Sequence, residues 1–106
     1  MKSATAIFTG PDQNPQRFGP ALDIVWEITP PVTVRHKAIV TAIVVSGASA
    51  SNTVYVGDGD GNASTQCVGN GLFEGEHSFA QSDNAEIQIE STGAATVTVI
   101  YRVERI

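Results

Sequence analysis

The chain has 106 residues, of which 42% are hydrophobic and 16% are charged, and its formal net charge is −5 at pH 7. This length predicts one domain with a modest core, and so low a charged fraction excludes an intrinsically disordered chain. Lys and Arg are absent between Ala38 and Tyr101, whereas seven carboxylates fall in that stretch. A surface that binds nucleic acid needs clustered Lys and Arg to neutralise phosphates, so we expect no nucleic-acid partner.

The single cysteine, Cys67, excludes an intrachain disulfide and a metal cluster held by cysteines alone. We expect it to be a buried thiol. The start of the chain lacks the long apolar run of a signal peptide, and no apolar run approaches the ~20 residues of a membrane span. The sequence therefore predicts a protein that is made in a cytoplasm and has no membrane partner.

The N-terminal part of the chain is predicted to be a short strand, residues 3–9, followed by a loop. The segment 10–20, GPDQNPQRFGP, is rich in Pro and Gly, which predicts a loop or arm without a regular element. Arg17 and Phe18 lie side by side within it, and Arg and aromatic residues are enriched in interface cores. We expect these two residues to contact a partner; the alternative is an ordinary surface loop with a packed Phe18.

The next segment, residues 21–29, alternates apolar and polar residues with period two. The apolar residues on one face are Leu22, Ile24, Trp26 and Ile28. This pattern is typical of a half-buried strand. The prolines at positions 30 and 31 end it, because neither can donate to a ladder of hydrogen bonds.

Residues 32–47 begin with the same alternation and then become apolar on both faces. Arg35 and Lys37 mark a polar face, but Ile39, Ile43 and Val45 occupy that face further along the strand. A strand that is apolar on both faces is covered on both sides. In a thin two-layer domain the second cover can be a neighbouring subunit, so we predict that these three residues line a subunit contact.

The stretch GDGDGN places Asp58, Asp60 and Asn62 at alternate positions, as in the first part of a calcium loop. The rest of that motif is missing, because Ala63 and Gly69 stand where a glycine and a bidentate glutamate belong. Asp-Gly is also a favoured hairpin-turn dipeptide, and strand patterns lie on both sides. We favour a hairpin turn over a metal site and keep the three residues as candidate calcium ligands.

Further strands are predicted in the second half of the chain, at 53–57, 85–91 and 95–105, with shorter ones between 62 and 79. No helix of useful length is apparent. Seven or eight short strands separated by Gly, Asn and Ser predict an all-β fold, a single β-sandwich domain over residues 1–106 that is jelly-roll-like.

No catalytic motif is present in the sequence. His36 and His77 are the only histidines, and they lack the spacing of a zinc or acid–base site. There is no serine elbow, phosphate-binding loop or dinucleotide fingerprint, so we expect neither an enzyme nor a cofactor. Tyr55 lies opposite Val54 and Val56 by parity and is expected to be exposed, although one aromatic residue makes a poor sugar platform.

The stretches KAIVTAIVVSGASASNTVYVGDGDGNA and AEIQIESTGAATVTVIYRVERI resemble small bacteriophage virion proteins with a jelly-roll or β-sandwich fold. Such proteins are found as capsid decoration (cement) proteins or as tail and fibre accessories. The resemblance covers about residues 32–106 and rests on the pattern of strands, so no functional residue is carried over. It implies a symmetric homo-oligomer, often a homotrimer, attached to a shell.

We therefore expect a structural virion protein, a capsid decoration subunit that oligomerises, with a trimer favoured, and binds the major capsid protein or another virion protein. The alternative is a carbohydrate- or receptor-binding module of a phage tail. Exposed aromatic residues beside Asp, Asn or Gln would favour the alternative, whereas an apolar seam would favour the structural role.

Overall fold

The computed structural model describes residues 2–11, 14–18, 22–25, 32–58, 65–78 and 87–105. These residues form nine strands and no helix. The strands are β1 (Lys2–Phe8), β2 (Gln16–Phe18), β3 (Leu22–Val25), β4 (Val32–Ser46), β5 (Thr53–Asp58), β6 (Thr65–Val68), β7 (Gly71–Ser78), β8 (Ile87–Ser91) and β9 (Ala95–Arg105). The predicted all-β fold is confirmed.

The strands form two antiparallel sheets. The five-stranded sheet has the order β1-β9-β4, and the far side of β4 pairs with β3 along its first half and with β7 along its second half. The four-stranded sheet has the order β2-β8-β5-β6. Without β3, which forms a hairpin with β4, the chain passes between the sheets in the order of an eight-stranded jelly roll.

The hydrophobic core lies between the two sheets and consists mainly of β-branched side chains. The five-stranded sheet contributes Ala6, Phe8, Val40, Ile43, Val45, Ala95, Val97 and Val99. The four-stranded sheet contributes Val54, Val56, Cys67, Ile87 and Ile89. Cys67 is buried as predicted. Its burial raises the pKa of the thiol, which keeps the group neutral and unreactive.

The longest strand, β4, contains a β-bulge. Val40 lies opposite Tyr101 of β9, whereas Ala42 lies opposite Ile100, so two steps along β4 correspond to one step along β9. The extra residue is Thr41. A bulge of this kind shifts the alternation of side chains by one position. Before the bulge the even-numbered residue Val40 faces the core, and after it the odd-numbered residues do.

The prediction that Ile39, Ile43 and Val45 line a subunit contact is wrong. Their side chains are 4%, 0% and 2% exposed within the single chain. Ile43 and Val45 belong to the core cluster, because the bulge turns them inward. Ile39 precedes the bulge and lies on the opposite side of the sheet, outside that cluster. Strict alternation had placed all three on one face.

Strand β2 lies within the segment 10–20, so the prediction that no part of this segment is a regular element is wrong for Gln16–Phe18. These residues pair with β8 at the edge of the four-stranded sheet, where only one side of a strand needs partners and flanking prolines are tolerated. Phe18 is half-buried and packs against the core. The side chain of Arg17 lies outside the described part of the chain.

One end of the sandwich is held together by Asn52, a polar residue that is buried. Its side-chain amide donates to Ser91 Oγ at 3.0 Å, and its Oδ1 accepts from Thr92 Oγ1 at 3.1 Å. Its backbone N–H donates to Ser49 and its carbonyl accepts from Gly69. Because these groups are all partnered, the β4–β5, β6–β7 and β8–β9 connections are tied together without an unsatisfied buried group.

Replacing Ile43 by alanine should lower the free energy of unfolding by about 2–5 kcal/mol, because the deletion leaves a cavity in a closely packed core. The matched variant is Ile7→Ala at an exposed position of the same sheet, where we expect a loss of less than about 1 kcal/mol. Denaturant unfolding measures both. An equal effect of the two variants would contradict the placement of Ile43 in the core.

Candidate functional site

The candidate calcium loop lies in the connection of a β-hairpin. Strand β5 ends at Asp58, and Val56 of β5 pairs with Thr65 of β6. The two strands that the turn interpretation requires are therefore present and paired. Asp60 and Asn62 lie outside the described residues. Within the described ranges, no group of three or more His, Cys, Asp or Glu side chains is placed to hold a metal ion.

The two histidines lie at different levels of the five-stranded sheet. His77 of β7 pairs with Val40 of β4 and is half-buried. His36 lies four residues before Val40 on β4, which is roughly 13 Å along a strand at ~3.3 Å per residue. The side chain of His36 is not among those described. The fold does not place the two residues next to each other.

The outer side of the five-stranded sheet carries an apolar surface that the sequence analysis missed. The pairing places Leu72 of β7 beside Val44 of β4, and Ala42 of β4 beside Ile100 of β9. Leu72 is 57% exposed, and Ile7, at the β1 edge of the same face, is 61% exposed. We call Ile7, Ala42, Val44, Leu72 and Ile100 the outer apolar face.

Threonine side chains separate Ile7 from the rest of the outer apolar face. Thr5 of β1 lies opposite Thr98 of β9, and their hydroxyl oxygens are 3.2 Å apart. Thr98 in turn lies opposite Val44. A hydroxyl pair that is satisfied within the sheet leaves the threonine methyl groups to extend the apolar surface. The face therefore spans β1, β9, β4 and β7.

One signal in the sequence points to this surface. Ile100 breaks the polar series Thr98, Arg102 and Glu104 on one face of the terminal strand. The other members were hidden, because the bulge at Thr41 moves Ala42 and Val44 to the outside. Strict alternation along β4 places Ala42 and Val44 on the face opposite to Arg35 and Lys37, which is the core face.

An ion pair crosses β4 on the outer side of the sheet. Arg102 of β9 donates from Nη1 to Oε1 of Glu76 on β7. Ile39 of β4 lies between these two strands, opposite Arg102 and Ser78. Its side chain points to the same outer side of the sheet as the aliphatic parts of Arg102 and Glu76. The hydrogen bond and the positive charge of Arg102 lower the pKa of the Glu76 carboxyl.

The outer side of the four-stranded sheet is polar around one aromatic residue. Tyr55 of β5 lies opposite Gln66 of β6 and Glu90 of β8. Val54 and Val56 lie in the core, so Tyr55 points away from the core as predicted, but it is half-buried rather than exposed. Gln88 Nε2 donates to Glu90 Oε1 at 2.8 Å. Val68, which is 57% exposed, lies at the β6 edge of this face.

Comparison with known proteins found no matching family model, no matching curated protein and no matching solved structure. In the part of the chain that the structure describes, no helix is long and apolar enough to cross a membrane.

The Glu76–Arg102 ion pair should make the free energy of unfolding decrease as the pH falls into the acid range. The pKa of Glu76 is lowered in the folded protein, so the ionised carboxylate stabilises the fold. This contribution to the free energy of unfolding is present above the ordinary glutamate pKa of about 4.3, and it is lost as the pH falls through the lowered pKa. We expect Glu76→Gln to be less stable than the unmodified protein near neutral pH and equally stable in strong acid.

Urea unfolding at a series of pH values measures this difference. The matched control is Glu74→Gln, since Glu74 is exposed on the same strand and the described residues record no ion pair for it. A stability difference between Glu76→Gln and the unmodified protein that stays constant at every pH would contradict the assignment of the effect to this carboxylate.

Proposed function

We propose that the protein is a structural subunit of a virus particle, which self-associates and decorates a shell built from a major capsid protein. The outer apolar face carries the proposal. Exposed apolar patches on a soluble domain mark sites of protein–protein contact, and this one lies on a sheet rather than on a loop. The role is structural, and no reaction is assigned to the chain.

The strand order supports the same role. Jelly rolls recur in viral capsid proteins and in lectins. A fold of this kind is shared by proteins of different function, so the strand order supports the proposal only together with the outer apolar face. Of the three large hydrophobic side chains that are exposed among the described residues, Ile7 and Leu72 belong to one face of the five-stranded sheet, as expected for a domain that lies flat on a partner. The third, Val68, lies on the other sheet.

The two outer faces of the sandwich differ in polarity, and this difference predicts how the subunit is oriented on the particle. Burying the outer apolar face against a partner costs little free energy of desolvation. The other sheet carries polar groups that are costly to bury without hydrogen-bond partners, on Gln66, Gln88 and Glu90. In the proposed particle the five-stranded sheet faces the shell or a neighbouring subunit, and the four-stranded sheet faces solvent.

The particle itself provides the first test. Particles released by cells that carry the gene should contain this chain at a copy number proportional to that of the shell protein, as measured by quantitative mass spectrometry. A tail accessory would instead be present in a few copies. Absence of the chain from purified particles would refute the virion role.

The surface is tested by a charge substitution with a matched control. Leu72→Glu should abolish binding to shells that lack the chain, because it would bury a carboxylate against an apolar partner. Val68→Glu should leave binding intact, since Val68 is as exposed as Leu72 but lies on the other sheet. Both positions are exposed, so both variants should fold. Equal binding by the two variants would place the contact elsewhere.

A second candidate function is carbohydrate binding at the polar face of the four-stranded sheet. The observation that favours it is the row of Gln66, Tyr55 and Glu90 across three strands. An aromatic ring can stack on the apolar face of a sugar, while amide and carboxylate groups bind its hydroxyls. This matches the composition of a sugar site, although with a single ring.

A glycan panel followed by variants of Tyr55 tests this candidate. A sugar that binds through stacking should lose affinity with Tyr55→Ala and keep most of it with Tyr55→Phe, which retains the ring. If the unmodified protein binds no glycan of the panel at millimolar concentration, the candidate is excluded for those sugars. If both variants bind as well as the unmodified protein, the site lies away from Tyr55.

A further inference from the structure

The free edge of β1 is the strand edge in the described structure that lacks the usual protection against pairing. An unpaired edge presents a row of backbone N–H and C=O groups to other chains, and proteins blunt such edges with bulges, charges, prolines or short strands. Strand β1 has seven residues in one unbroken register with β9. Its sequence, KSATAIF, contains neither Pro nor Gly, and its single charge is at Lys2.

The other edges carry these protective features. Strand β7 has a register shift in its pairing with β4, exposed Glu74 and Glu76, and Gly75 with a φ of 143°, which side-chain-bearing residues rarely adopt. Strand β2 has three residues and follows a proline. Strands β3 and β6 have four residues each.

Two hydrogen bonds show which backbone groups β1 presents at its free edge. Thr41 Oγ1 of β4 donates to the carbonyl of Ile100 at 3.2 Å, so the carbonyl of Ile100 points towards β4. Its partner on β1 is Ser3, which therefore makes no ladder bonds with β9, because bonded and non-bonded pairs alternate in an antiparallel ladder. The backbone N–H and C=O groups of Ser3, Thr5 and Ile7 therefore point away from β9, in the plane of the sheet and towards its free edge.

The side chain of Gln16 confirms this orientation from the other end of β1. Its Nε2 donates to the carbonyl oxygen of Ile7 at 2.8 Å, which requires that this carbonyl points away from β9. The bond also covers one end of the edge. The N–H and C=O groups of Ser3 and Thr5 remain without a partner strand among the described residues, and both residues are exposed.

We propose that the free edge of β1 pairs antiparallel with the β1 edge of a second copy of this chain, about a twofold axis at Thr5. In this register Thr5 lies opposite the Thr5 of the second copy, and Ser3 lies opposite its Ile7, so that about six backbone hydrogen bonds can form. The carbonyl of Ile7 has a second lone pair for this contact. The two five-stranded sheets become one continuous sheet.

The charge distribution fits a second copy as the occupant. Lys2 is the charged residue of β1, and the twofold axis places the two Lys2 residues at opposite ends of the pair. They are then roughly 20 Å apart at ~3.3 Å per residue, which is beyond the screening length of about 10 Å in 0.1 M salt. Ile7, an exposed apolar residue, lies beside Ser3 of the second copy and extends the outer apolar face across both subunits.

The proposal does not depend on a virion role, and proline scanning of the edge tests it. Thr5→Pro removes an N–H that β9 does not use, so the fold should persist, as proline is tolerated on edge strands. The dissociation constant of the dimer, measured by analytical ultracentrifugation, should rise by about tenfold or more, because two hydrogen bonds are lost per dimer. Thr5→Ala keeps the N–H and should dimerise as the unmodified protein does.

Disulfide trapping tests the register without relying on the proline variant. Bonded antiparallel pairs have Cα atoms about 5.5 Å apart, a distance that a disulfide can span. Thr5→Cys should therefore form a covalent dimer under mild oxidation, whereas Ile7→Cys, whose counterpart lies about four residues away, should not. The native Cys67 is buried and does not compete.

These experiments distinguish a contact between two β1 edges from a contact made by the outer apolar face. Dimerisation that survives Leu72→Glu but is weakened by Thr5→Pro, together with trapping at position 5 alone, supports the edge pair even if shell binding fails. A protein that is monomeric at all concentrations, an unchanged dissociation constant in a folded Thr5→Pro variant, or equal trapping at positions 5 and 7 would overturn it.

Discussion

The bulge in β4 is the constraint on which the rest of the five-stranded sheet depends. A strand of 15 residues with unbroken alternation would direct either Val40 or the pair Ile43 and Val45 into the core, but not all three. The extra residue at Thr41 permits both. It also increases the local twist, within the part of β4 that pairs with β7. The same change turns Ala42 and Val44 outwards and so creates the outer apolar face.

The polar end of the sandwich complements this apolar organisation. Besides the bonds of Asn52, the side chain of Asn70 donates to the carbonyl of Ala48 and accepts from its N–H, at 2.7 and 2.8 Å. Two amide side chains thus take the place of backbone partners where strands end. Because these connections are held by specific hydrogen bonds, the ends of β4, β5, β8 and β9 are held in fixed positions relative to one another, and the outer faces keep a defined shape.

Period-two alternation was enough to predict the fold class and the strands whose alternation is unbroken. Val54 and Val56 lie in the core, and so do Ile87 and Ile89, as period-two alternation requires of a short strand that keeps one face in the core. The position of a bulge was not predictable, since Thr41 is an ordinary strand residue and only the registers with both neighbours reveal it. The errors at Ala42, Ile43, Val44 and Val45 follow from that single shift. Ile39 precedes the shift, and the prediction for it was wrong because its side chain is buried within the chain. Strand β2 was missed for a different reason, because Pro and Gly on both sides concealed three residues that pair only at an edge.

The strand order also governs how the chain reaches its folded state during synthesis. Strand β9 lies between β1 and β4, yet it is the last of the nine strands along the chain. Until β9 leaves the ribosome, β1 has no strand to pair with, and β4 lacks its neighbour on one side. The closing step joins residues as far apart in sequence as Thr5 and Thr98, a separation typical of slow-folding β proteins. Until β9 has been synthesised, the nascent chain therefore exposes a strand edge and apolar side chains, and this is when it is most open to capture by a chaperone or by another copy of itself.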